Sequence, residues 1–366
     1  MKIAIVGCGQ IADAHIQEAR KLPGIEVAAV CDANVHMAKQ AAVRFGIPGT
    51  YTSLAKMLGE VRPEVVHITT PPATHLLVGK SVVELGSHAY IEKPFTLNRA
   101  EAEELIDVAT RVGKLVCVGH NYVYDNSFVR LKALHQAGKL GEIRHVDAVM
   151  GYNLAGNFGS VFMGDPTHWL HKLPGGLAQN NISHPLSLML EFLRDQNPYI
   201  HACGFRLREQ TYGDVRDLLF DELRVFIRGE RTTGNLVFSC SARPVQLYIV
   251  VYGTRGQATV SLDSRTLKVV EGSSLPQPFQ KVHWAQNEAR EVLREYLSNL
   301  GKLVNARLHF FEGMKELFYR FYRAIEGKGE MPIAMSEALR TTAIMDDIFQ
   351  QCNANDPALM SERVSV

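Results

Sequence analysis

The first third of the chain alternates short apolar runs with segments of helical spacing. Uniformly apolar runs of this length predict buried strands, and they lie at KIAIVG (2–7), EVAAVCD (26–32), VVHIT (65–69), HAYIE (88–92) and LVCVG (115–119). Helical segments lie between most of them, at about residues 11–22, 35–45, 73–86 and 98–112. Buried strands that alternate with helices predict a parallel sheet covered by helices on both faces.

The pattern changes after about residue 125, where the apolar runs are longer and several alternate with polar residues. Period-two alternation predicts strands with one buried face, and these runs begin at Ile143, Asp221, Gly234, Gln246 and Gln257. Residues from about 287 to 352 have mostly helical spacing. We therefore predict an α/β chain with a doubly wound Rossmann domain at 1–122 and an α+β domain at 123–366, whose open sheet is mostly antiparallel.

One face of the second predicted sheet is expected to pack on helices, while the other face keeps several large apolar side chains. These are Phe226, Phe238, Tyr248 and Val250. An exposed apolar sheet face is typical of a contact between subunits. We therefore expect a homodimer or homotetramer that associates through the second-domain sheet.

Composition and charge exclude several other classes of protein. Hydrophobic residues make up 46% and charged residues 21% of the 366 positions, a balance typical of a folded chain of two domains. The net charge of +1 provides no basic field for nucleic acid or for an anionic membrane. No run is apolar and long enough to span a bilayer or to form a signal peptide, so we expect a cytoplasmic protein.

The cysteines and the metal-binding residue types add no further site. The six cysteines are scattered without a CxxC pair or zinc-finger spacing, which predicts buried free thiols in a reducing compartment. The chain also lacks an HExxH motif and any cluster of carboxylates with histidines in the sequence, so no metal site is predicted.

A glycine-rich turn follows the first predicted strand and opens the first helix. It reads Gly7-Cys8-Gly9-Gln10-Ile11-Ala12 and matches the GxGxxA fingerprint of dinucleotide-binding folds. Gly7 permits the tight turn, Gly9 lets the backbone approach a pyrophosphate, and Ala12 lets the helix pack closely on the strand. The unpaired N–H groups and the positive dipole end of the helix then favour phosphate binding.

An acidic residue stands where the adenosine ribose is expected. Asp32 lies twenty residues after Ala12, at the end of the second predicted strand. A carboxylate at this place binds the ribose hydroxyl groups. Ala33 follows, and no arginine lies beside it to neutralise a 2′-phosphate, so we expect NAD as cofactor in preference to NADP.

Several motifs fall in one order along the chain: GCGQIA, CD, TTPPATH, EKP, GHN and GGLAQNNISH. Together they resemble the glucose–fructose oxidoreductase, inositol dehydrogenase and rhizopine-catabolism (GFO/IDH/MocA) family over nearly the whole chain. The resemblance implies that Lys93 of EKP is catalytic and is joined to Pro94 by a cis bond. It also implies a second catalytic residue at His184. The cofactor groove would be lined by Thr70, Pro71, Pro72, His75, Glu92, Lys93 and Asn121.

The chemistry of these side chains agrees with the implied roles. Lys93 follows an apolar strand at its carboxyl end, the edge where open parallel sheets bind ligands. A lysine there stabilises the alkoxide character that develops when hydride leaves a hydroxyl carbon. His184 follows Gly175-Gly176 near a helix start, and a neutral imidazole accepts a hydroxyl proton near neutral pH.

Two positions depart from the pattern of this family. Many members carry aspartate four residues before the catalytic histidine, where this chain has Asn180. Asparagine orients the imidazole but supplies no negative charge, and it resembles a subgroup that oxidises nucleotide-linked sugars at C3. Many relatives also have arginine two residues after Asn121, where this chain has Val123, so any role of that arginine in binding substrate or cofactor is in doubt here.

Residues 151–174 are rich in glycine, asparagine and aromatic side chains, and we interpret this segment as a substrate loop. Trp169 is expected to stack on a sugar face or to line the nicotinamide site, with a place in the core as the alternative. The side chains expected to bond hydroxyl groups are Asn153, Asn157, His168 and His171.

The predicted activity is reversible, NAD-dependent hydride transfer from a secondary hydroxyl of a sugar, sugar derivative or nucleotide sugar. Two alternatives share the same cofactor site. One is redox-assisted glycoside cleavage, in which NAD is restored within each cycle, and the other is a non-catalytic NAD- and sugar-binding regulator. Net NADH release distinguishes the dehydrogenase from both.

Overall fold

The apolar runs of the N-terminal segment form one parallel sheet. A computed structural model of the chain describes residues 1–156, 159–208, 211–212, 215–216, 220–272, 275–305 and 311–355. The six strands of this sheet are β1 (Lys2–Val6), β2 (Glu26–Cys31), β3 (Gly49–Tyr51), β4 (Val65–Ile68), β5 (His88–Ile91) and β6 (Val116–Val118). Their order, β3-β2-β1-β4-β5-β6, is that of a Rossmann fold, and every pairing is parallel. The predicted doubly wound sheet is therefore confirmed.

The helices of this sheet begin and end at local signals in the sequence. They are α1 (Gln10–Arg20), α2 (Val35–Phe45), α3 (Leu54–Val61), α4 (His75–Glu84) and α5 (Arg99–Arg111). The Asn98 side chain accepts a hydrogen bond from the backbone N–H of Glu101 and caps α5. Gly46 ends α2 in the left-handed conformation, with φ of 59°.

The second unit of the chain is built around a seven-stranded sheet. Its elements are α6 (Asn126–Gln136), β7 (Ile143–Gly151), α7 (Gly159–Met163), α8 (Gly176–Asn181), α9 (Ser183–Leu190), β8 (Tyr199–Phe205), β9 (Thr211–Tyr212), β10 (Val215–Arg216), β11 (Glu222–Arg228), β12 (Thr233–Ser239), β13 (Leu247–Gly253), β14 (Gly256–Ser261), β15 (Thr266–Glu271) and α10 (Gln277–Val304). The order of the large sheet is β15-β14-β13-β7-β12-β11-β8, and β9 pairs with β10 separately. Only β12 and β7 run parallel within the seven strands, which confirms a mostly antiparallel sheet.

The register of this sheet corrects the predicted outer face. Phe238 pairs with Leu223 on β11 and with Met150 on β7, so it shares their core face and is fully buried. Phe226 does lie on the outer face and is 38% exposed. Its partner on β12 is Asn235, whose amide donates to the Asp147 carboxylate at 3.0 Å, so polar side chains lie beside it. The outer face is therefore less apolar than the sequence pattern predicted.

Two helices follow the second sheet, α11 (Glu312–Ile325) and α12 (Met335–Ala354). The chain divides into a first unit of Met1–Asn121 with Gly313–Asp346 and a second unit of Tyr122–Glu312 with Asp347–Val366. This division differs from the predicted assignment of all residues after 122 to one domain. The physical reason is that α11 supplies Phe318 and Tyr322, both buried, to the core of the Rossmann unit beside His67.

Most of the cysteine side chains are buried in the two units. All six cysteines are free; five are buried as predicted, whereas Cys203 is exposed. Within the described part of the chain, every helix is too short or too polar to cross a membrane.

Candidate active site

The turn between β1 and α1 requires glycine at its first position. Gly7 has a φ of +92°, and a Cβ atom there would lie 2.7 Å from the backbone nitrogen of Thr70. Its N–H donates to the Cys31 carbonyl at 2.8 Å, which ties the turn to the end of β2. The close approach of the turn to the β4 loop therefore depends on the missing side chain.

The features that bind a dinucleotide in a Rossmann fold are present around this turn. Gly9 precedes α1 without a side-chain cap, and a Cβ there would meet no atom within 4 Å. Ala12 is fully buried and lets α1 pack on the sheet, whereas Gln10 is exposed and Ile11 half-buried at the open end of the helix. The half-buried Asp32 carboxylate accepts N–H bonds from Cys8 at 2.7 Å and Asn34 at 2.8 Å. The chemistry of these residues fits a pyrophosphate and a ribose, and their contacts with the cofactor stay a prediction.

The loop after β4 is held by its own hydroxyl groups and by a buried histidine. The Thr74 hydroxyl donates to the Thr70 hydroxyl at 2.7 Å, and Thr70 and Pro71 are half-buried beside the buried Pro72. His75 is fully buried, with Nε2 2.9 Å from the Thr70 carbonyl and Nδ1 3.0 Å from the Pro94 carbonyl. His75 therefore clamps this loop to the loop after β5, and its predicted contact with the cofactor stays a prediction.

Glu92 and Lys93 follow β5 at the carboxyl edge of the sheet. The Lys93–Pro94 bond is cis, which confirms the expectation for EKP. Lys93 is half-buried; burial lowers the pKa of its ammonium group, while the charge of Glu92 opposes that shift. Glu92 is 7% exposed, and its Oε2 accepts the Lys93 backbone N–H at 3.2 Å. A lysine whose charge is less stabilised than in water lies where the reacting hydroxyl is expected.

Glu92 is also the end of a buried hydrogen-bonded chain that sequence reasoning missed. His15 Nε2 lies 2.9 Å from Glu92 Oε1, and His15 Nδ1 lies 3.0 Å from His67 Nδ1. His67 Nε2 lies 2.7 Å from the hydroxyl of Tyr322 on α11. The four side chains are all buried, and we call them the histidine chain.

The charges of the histidine chain follow from its burial and its partners. Burial, together with the charge of His15, holds the pKa of His67 well below its usual value, so His67 is neutral. Burial acts to raise the pKa of Glu92, but the hydrogen bond and charge of His15, with the charge of Lys93, outweigh it and lower that pKa. Glu92 is therefore ionised, and His15 Nε2 donates to its carboxylate.

Strand β6 also ends at the carboxyl edge of the sheet, and the GHN motif (119–121) follows it. A Cβ at Gly119 would lie 3.1 Å from Glu92 Oε1, so glycine allows the two strand ends to approach. Asn121 is 9% exposed. Burial lowers the pKa of His120 to about 4, which keeps it neutral near pH 7. Val123 is buried, so the position where relatives carry arginine is part of the apolar core here.

The predicted pair of the second unit, Asn180 and His184, lies on consecutive helical segments. Ile182 joins α8 to α9 with right-handed helical angles, φ of −68° and ψ of −14°. Positions 180 and 184 are therefore one turn apart and on the same face. Both side chains are half-buried, and the His184 ring packs edge-on against Tyr122 at 4.6 Å between centroids. The role of Asn180 as an amide that orients the imidazole stays a prediction.

Each glycine of the pair at the start of α8 has a structural reason. A Cβ at Gly175 would lie 2.2 Å from the Phe349 ring. Gly176 has a φ of +51°, which favours glycine. The amide oxygen of Gln179 accepts the Gly175 N–H at 2.8 Å and fixes the turn. The missing side chain of Gly175 therefore allows the start of α8 to approach Phe349 on α12.

The predicted substrate loop holds its polar side chains partly by internal bonds. The exposed Asn153 accepts the Ala155 N–H at 3.1 Å, and His171 Nε2 lies 3.0 Å from the Phe162 carbonyl. His168 and Trp169 are half-buried, with ring centroids 5.1 Å apart. Burial lowers the pKa of His168, which leaves a neutral ring beside the indole. Asn157 lies outside the described residues.

Metal-binding residue types do not converge in the described ranges, since no three His, Cys, Asp or Glu side chains there could hold one ion. A depression in the second unit is lined by charged side chains of both signs, among them Arg194, Asp195 and Arg228. None of the predicted site residues lines it, so we assign it no part in the site.

Known proteins resemble this chain in sequence and in fold. The uncharacterized oxidoreductase YdgJ of Escherichia coli (strain K12) is 25% identical over 297 residues, 77% of each chain. The D-glucoside 3-dehydrogenase of the same organism is 30% identical over 146 residues, 39% of this chain and 41% of its own length. Crystals of the WlbA dehydrogenase from Bordetella pertussis with NADH and UDP-GlcNAcA contain a similar fold, with a TM-score of 0.77, 18% identity and coverage of 97% and 96%. Levoglucosan dehydrogenase in complex with NADH and L-sorbose gives a TM-score of 0.80 at 16% identity, with 97% of each chain covered.

Two family models match adjoining parts of the chain. Residues 1–120 match the oxidoreductase family with an NAD-binding Rossmann fold, and residues 128–259 match the GFO/IDH/MocA C-terminal domain. The first match agrees with the glycine turn, Asp32 and the strand order, and it makes NAD the cofactor of the first unit. The second match covers β7 to β13 and the first part of β14. The chain therefore belongs to the GFO/IDH/MocA family of NAD-binding oxidoreductases.

Proposed function

We propose that the protein catalyses the reversible, NAD-dependent oxidation of a secondary hydroxyl in a sugar, sugar derivative or nucleotide sugar. NAD, when bound by the first unit, would supply the hydride acceptor. The substrate class is supported by the D-glucoside 3-dehydrogenase and by the structural neighbour bound to UDP-GlcNAcA. In this proposal the first unit binds the cofactor through Gly7, Gly9, Gln10, Ile11, Ala12, Asp32, Thr70, Pro71, Pro72, His75, Glu92, Lys93 and Asn121.

The observation that carries the proposal is the placement of Lys93. It stands next to an ionised, buried Glu92 at the carboxyl end of β5, in a family that binds NAD. Its ammonium group donates to the substrate hydroxyl and stabilises the negative charge that grows on that oxygen. Burial lowers the pKa of Lys93. Lys93 is therefore better suited than a solvated lysine to exchange a proton with the substrate.

His184 is the proposed acceptor of the hydroxyl proton. A neutral imidazole is suited to this task near neutral pH. Asn180, one helical turn away, orients the ring by its amide without adding charge, so His184 is less basic than it would be beside aspartate. Asn153, His168, Trp169 and His171 are proposed to contact the sugar.

The test is NADH absorbance with purified protein, NAD and a panel of free, phosphorylated and nucleotide-linked sugars. We expect NADH to accumulate with one class of sugar. Lys93→Ala should lower kcat/KM about 100- to 10,000-fold while NAD binding is retained, because Lys93 acts on the substrate oxygen. Val43→Ala, a change at an exposed position of α2, is the control and should leave turnover unchanged.

Other outcomes of the same experiment decide between the alternatives. Full turnover in Lys93→Ala would remove that residue from the mechanism. Release of a cleaved sugar without net NADH, detected by product mass, would support redox-assisted glycoside cleavage. NAD binding without any change of the sugars would support a regulator.

A further inference from the structure

Helix α10 packs on its own unit by a polar stripe. The least exposed positions of this 28-residue helix are polar: Gln280, Asn287, Glu291, Glu295, Asn299 and Lys302. Glu295 is 2% exposed and forms an ion pair with Arg130 at 2.5 Å. The Asn299 amide donates to the Ser264 carbonyl at 2.7 Å, beside β15. The helix is therefore fastened to the unit by hydrogen bonds and charges.

The apolar side chains of α10 point away from that contact. Phe279 is 67% exposed, Leu293 57%, Tyr296 59% and Leu303 61%. A surface helix of a folded protein normally buries its apolar side and exposes its polar side. α10 does the reverse. Its exposed apolar residues form a continuous stripe, and such a stripe indicates an interaction site, whereas single exposed apolar residues are normal.

The spacing of the outward residues identifies the kind of partner. The stripe, which we call the seam, repeats at alternating intervals of three and four residues: Phe279, Val282, Gln286, Ala289, Leu293, Tyr296, Leu300 and Leu303. Seven of these eight positions are apolar. Intervals of three and four sustained over more than three heptads are typical of a helix that pairs with another helix by knobs-into-holes packing.

We propose that the seam pairs with the seam of a second copy of this chain, antiparallel and around a two-fold axis near position 291. In that register each residue at heptad position a of one seam meets a residue at position d of the other, as antiparallel pairing requires. Three of the four layers are then apolar, and in the fourth the single polar residue meets a hydroxyl group. The layers are Phe279 with Leu303, Val282 with Leu300, Gln286 with Tyr296, and Ala289 with Leu293, each formed twice.

Area supports a second copy as occupant. Six of the large apolar side chains that α10 exposes lie on the seam, and together they amount to roughly 600 Å² per copy if a fully exposed one contributes about 150–250 Å². A symmetric pair would thus remove about 1,200 Å² from water, which is the lower end of the range of about 1,200–2,000 Å² for a stable interface.

The charged side chains of α10 argue against an anionic membrane as the partner of the seam. An interfacial helix that binds such a surface has a strongly basic polar face. α10 has four basic side chains (Lys281, Arg290, Arg294 and Lys302) against three acidic ones (Glu288, Glu291 and Glu295). Several of these are paired within the unit, as Arg294 is with Glu291 at 2.9 Å and Glu288 with Lys268 at 2.9 Å.

The first test is the mass of the full chain in solution, measured by light scattering after size exclusion. The wild type should be a dimer or a larger even-numbered assembly. Leu293→Lys should weaken the association at least about 100-fold and halve the mass at micromolar concentration, because it places a charge in a desolvated layer. Val43→Lys, which makes the same kind of change at a position 84% exposed on α2, should leave the mass unchanged. Circular dichroism and NAD binding verify that both variants fold.

The second test fixes the direction of pairing by disulfide formation. The double variant Ala289→Cys/Leu293→Cys should cross-link under mild oxidation, while neither single variant should, because the two positions meet only each other. The wild type, with its exposed Cys203, gives the background. A monomeric wild type, an unchanged mass in Leu293→Lys, or cross-linking of Ala289→Cys alone would overturn the proposal, as would binding of the wild type to phosphatidylserine vesicles that Leu293→Lys abolishes.

Discussion

Removal of His15 tests whether the histidine chain keeps Glu92 ionised beside Lys93. His15 is fully buried, Glu92 is 7% exposed, and their side chains meet at 2.9 Å. His15→Ala takes away a side-chain donor to that carboxylate and leaves the burial of Glu92 in place. Loss of one partner of a buried charged pair costs about 3–5 kcal/mol of unfolding free energy.

The dependence of that cost on pH separates the charge effect from the cavity. In the wild type the pKa of Glu92 is lowered, so its contribution to stability is present above the unfolded pKa of about 4.3 and is lost as the pH falls through the folded value. In His15→Ala, burial acts without its main opponent and raises the pKa of Glu92. The folded variant then binds more protons than its unfolded chain above about pH 4.3, so it loses stability as the pH rises. The cost of the substitution should therefore be larger at pH 8 than at pH 5.

Urea unfolding at both pH values, for the wild type and three variants, measures this effect. The variants are His15→Ala, Glu92→Gln and their combination, and the double-mutant cycle isolates the coupling between the two side chains. Far-UV circular dichroism follows the whole chain, whereas Trp169 and Trp284, both in the second unit, report that unit alone. His15→Gln, which keeps an amide donor, should recover part of the loss. An equal cost of His15→Ala at pH 5 and pH 8, or an equal cost in the Glu92→Gln background, would refute the reasoning.

Three further predictions concern single positions. Gly7→Ala should cost about 1–3 kcal/mol of stability and lower NAD affinity, because φ is +92° and the new Cβ would press on the backbone of Thr70. Calorimetric titration with NAD measures the affinity, and an unchanged affinity would contradict the prediction. Asp32→Ala should raise the preference for NADP relative to NAD about tenfold, measured by titration with each nucleotide, since the carboxylate that repels a 2′-phosphate is gone. Gly175→Ala should cost about 1–3 kcal/mol because its Cβ would lie 2.2 Å from the Phe349 ring, and the cost should shrink in a Phe349→Leu background; equal costs in both backgrounds would show that this contact is not the cause.

Local signals in the sequence were sufficient to predict most of the Rossmann unit. Helix α2 spans Val35–Phe45 as predicted, because Asn34 caps its start and Gly46 ends it. Asn98 caps α5 for the same local reason. Strand β3 (Gly49–Tyr51) was not predicted, since three residues give no periodicity to detect. The short helix α3 (Leu54–Val61) was not predicted either.

Features that depend on distant parts of the chain could not be predicted in this way. Phe238 was placed on the wrong face because strand register is set by pairing with β11 and β7, and a shift of one residue reverses the face. The packing of α11 in the Rossmann unit depends on contacts across about 250 residues, such as that of Tyr322 with His67. Helical spacing alone does not reveal which unit a helix completes.

The histidine chain lies between these two cases. His67 interrupts the apolar run of β4, and His15 lies on the buried face of α1 with Ala12, Ile16 and Ala19. A polar residue at a position that periodicity assigns to the core requires a buried hydrogen-bond partner. The sequence therefore indicates that two partners exist, although only the fold identifies them as Glu92 and Tyr322. Because Glu92 adjoins Lys93, a hydroxyl on the helix α11 is linked through two histidine rings to the carboxylate that sets the charge beside the proposed catalytic lysine.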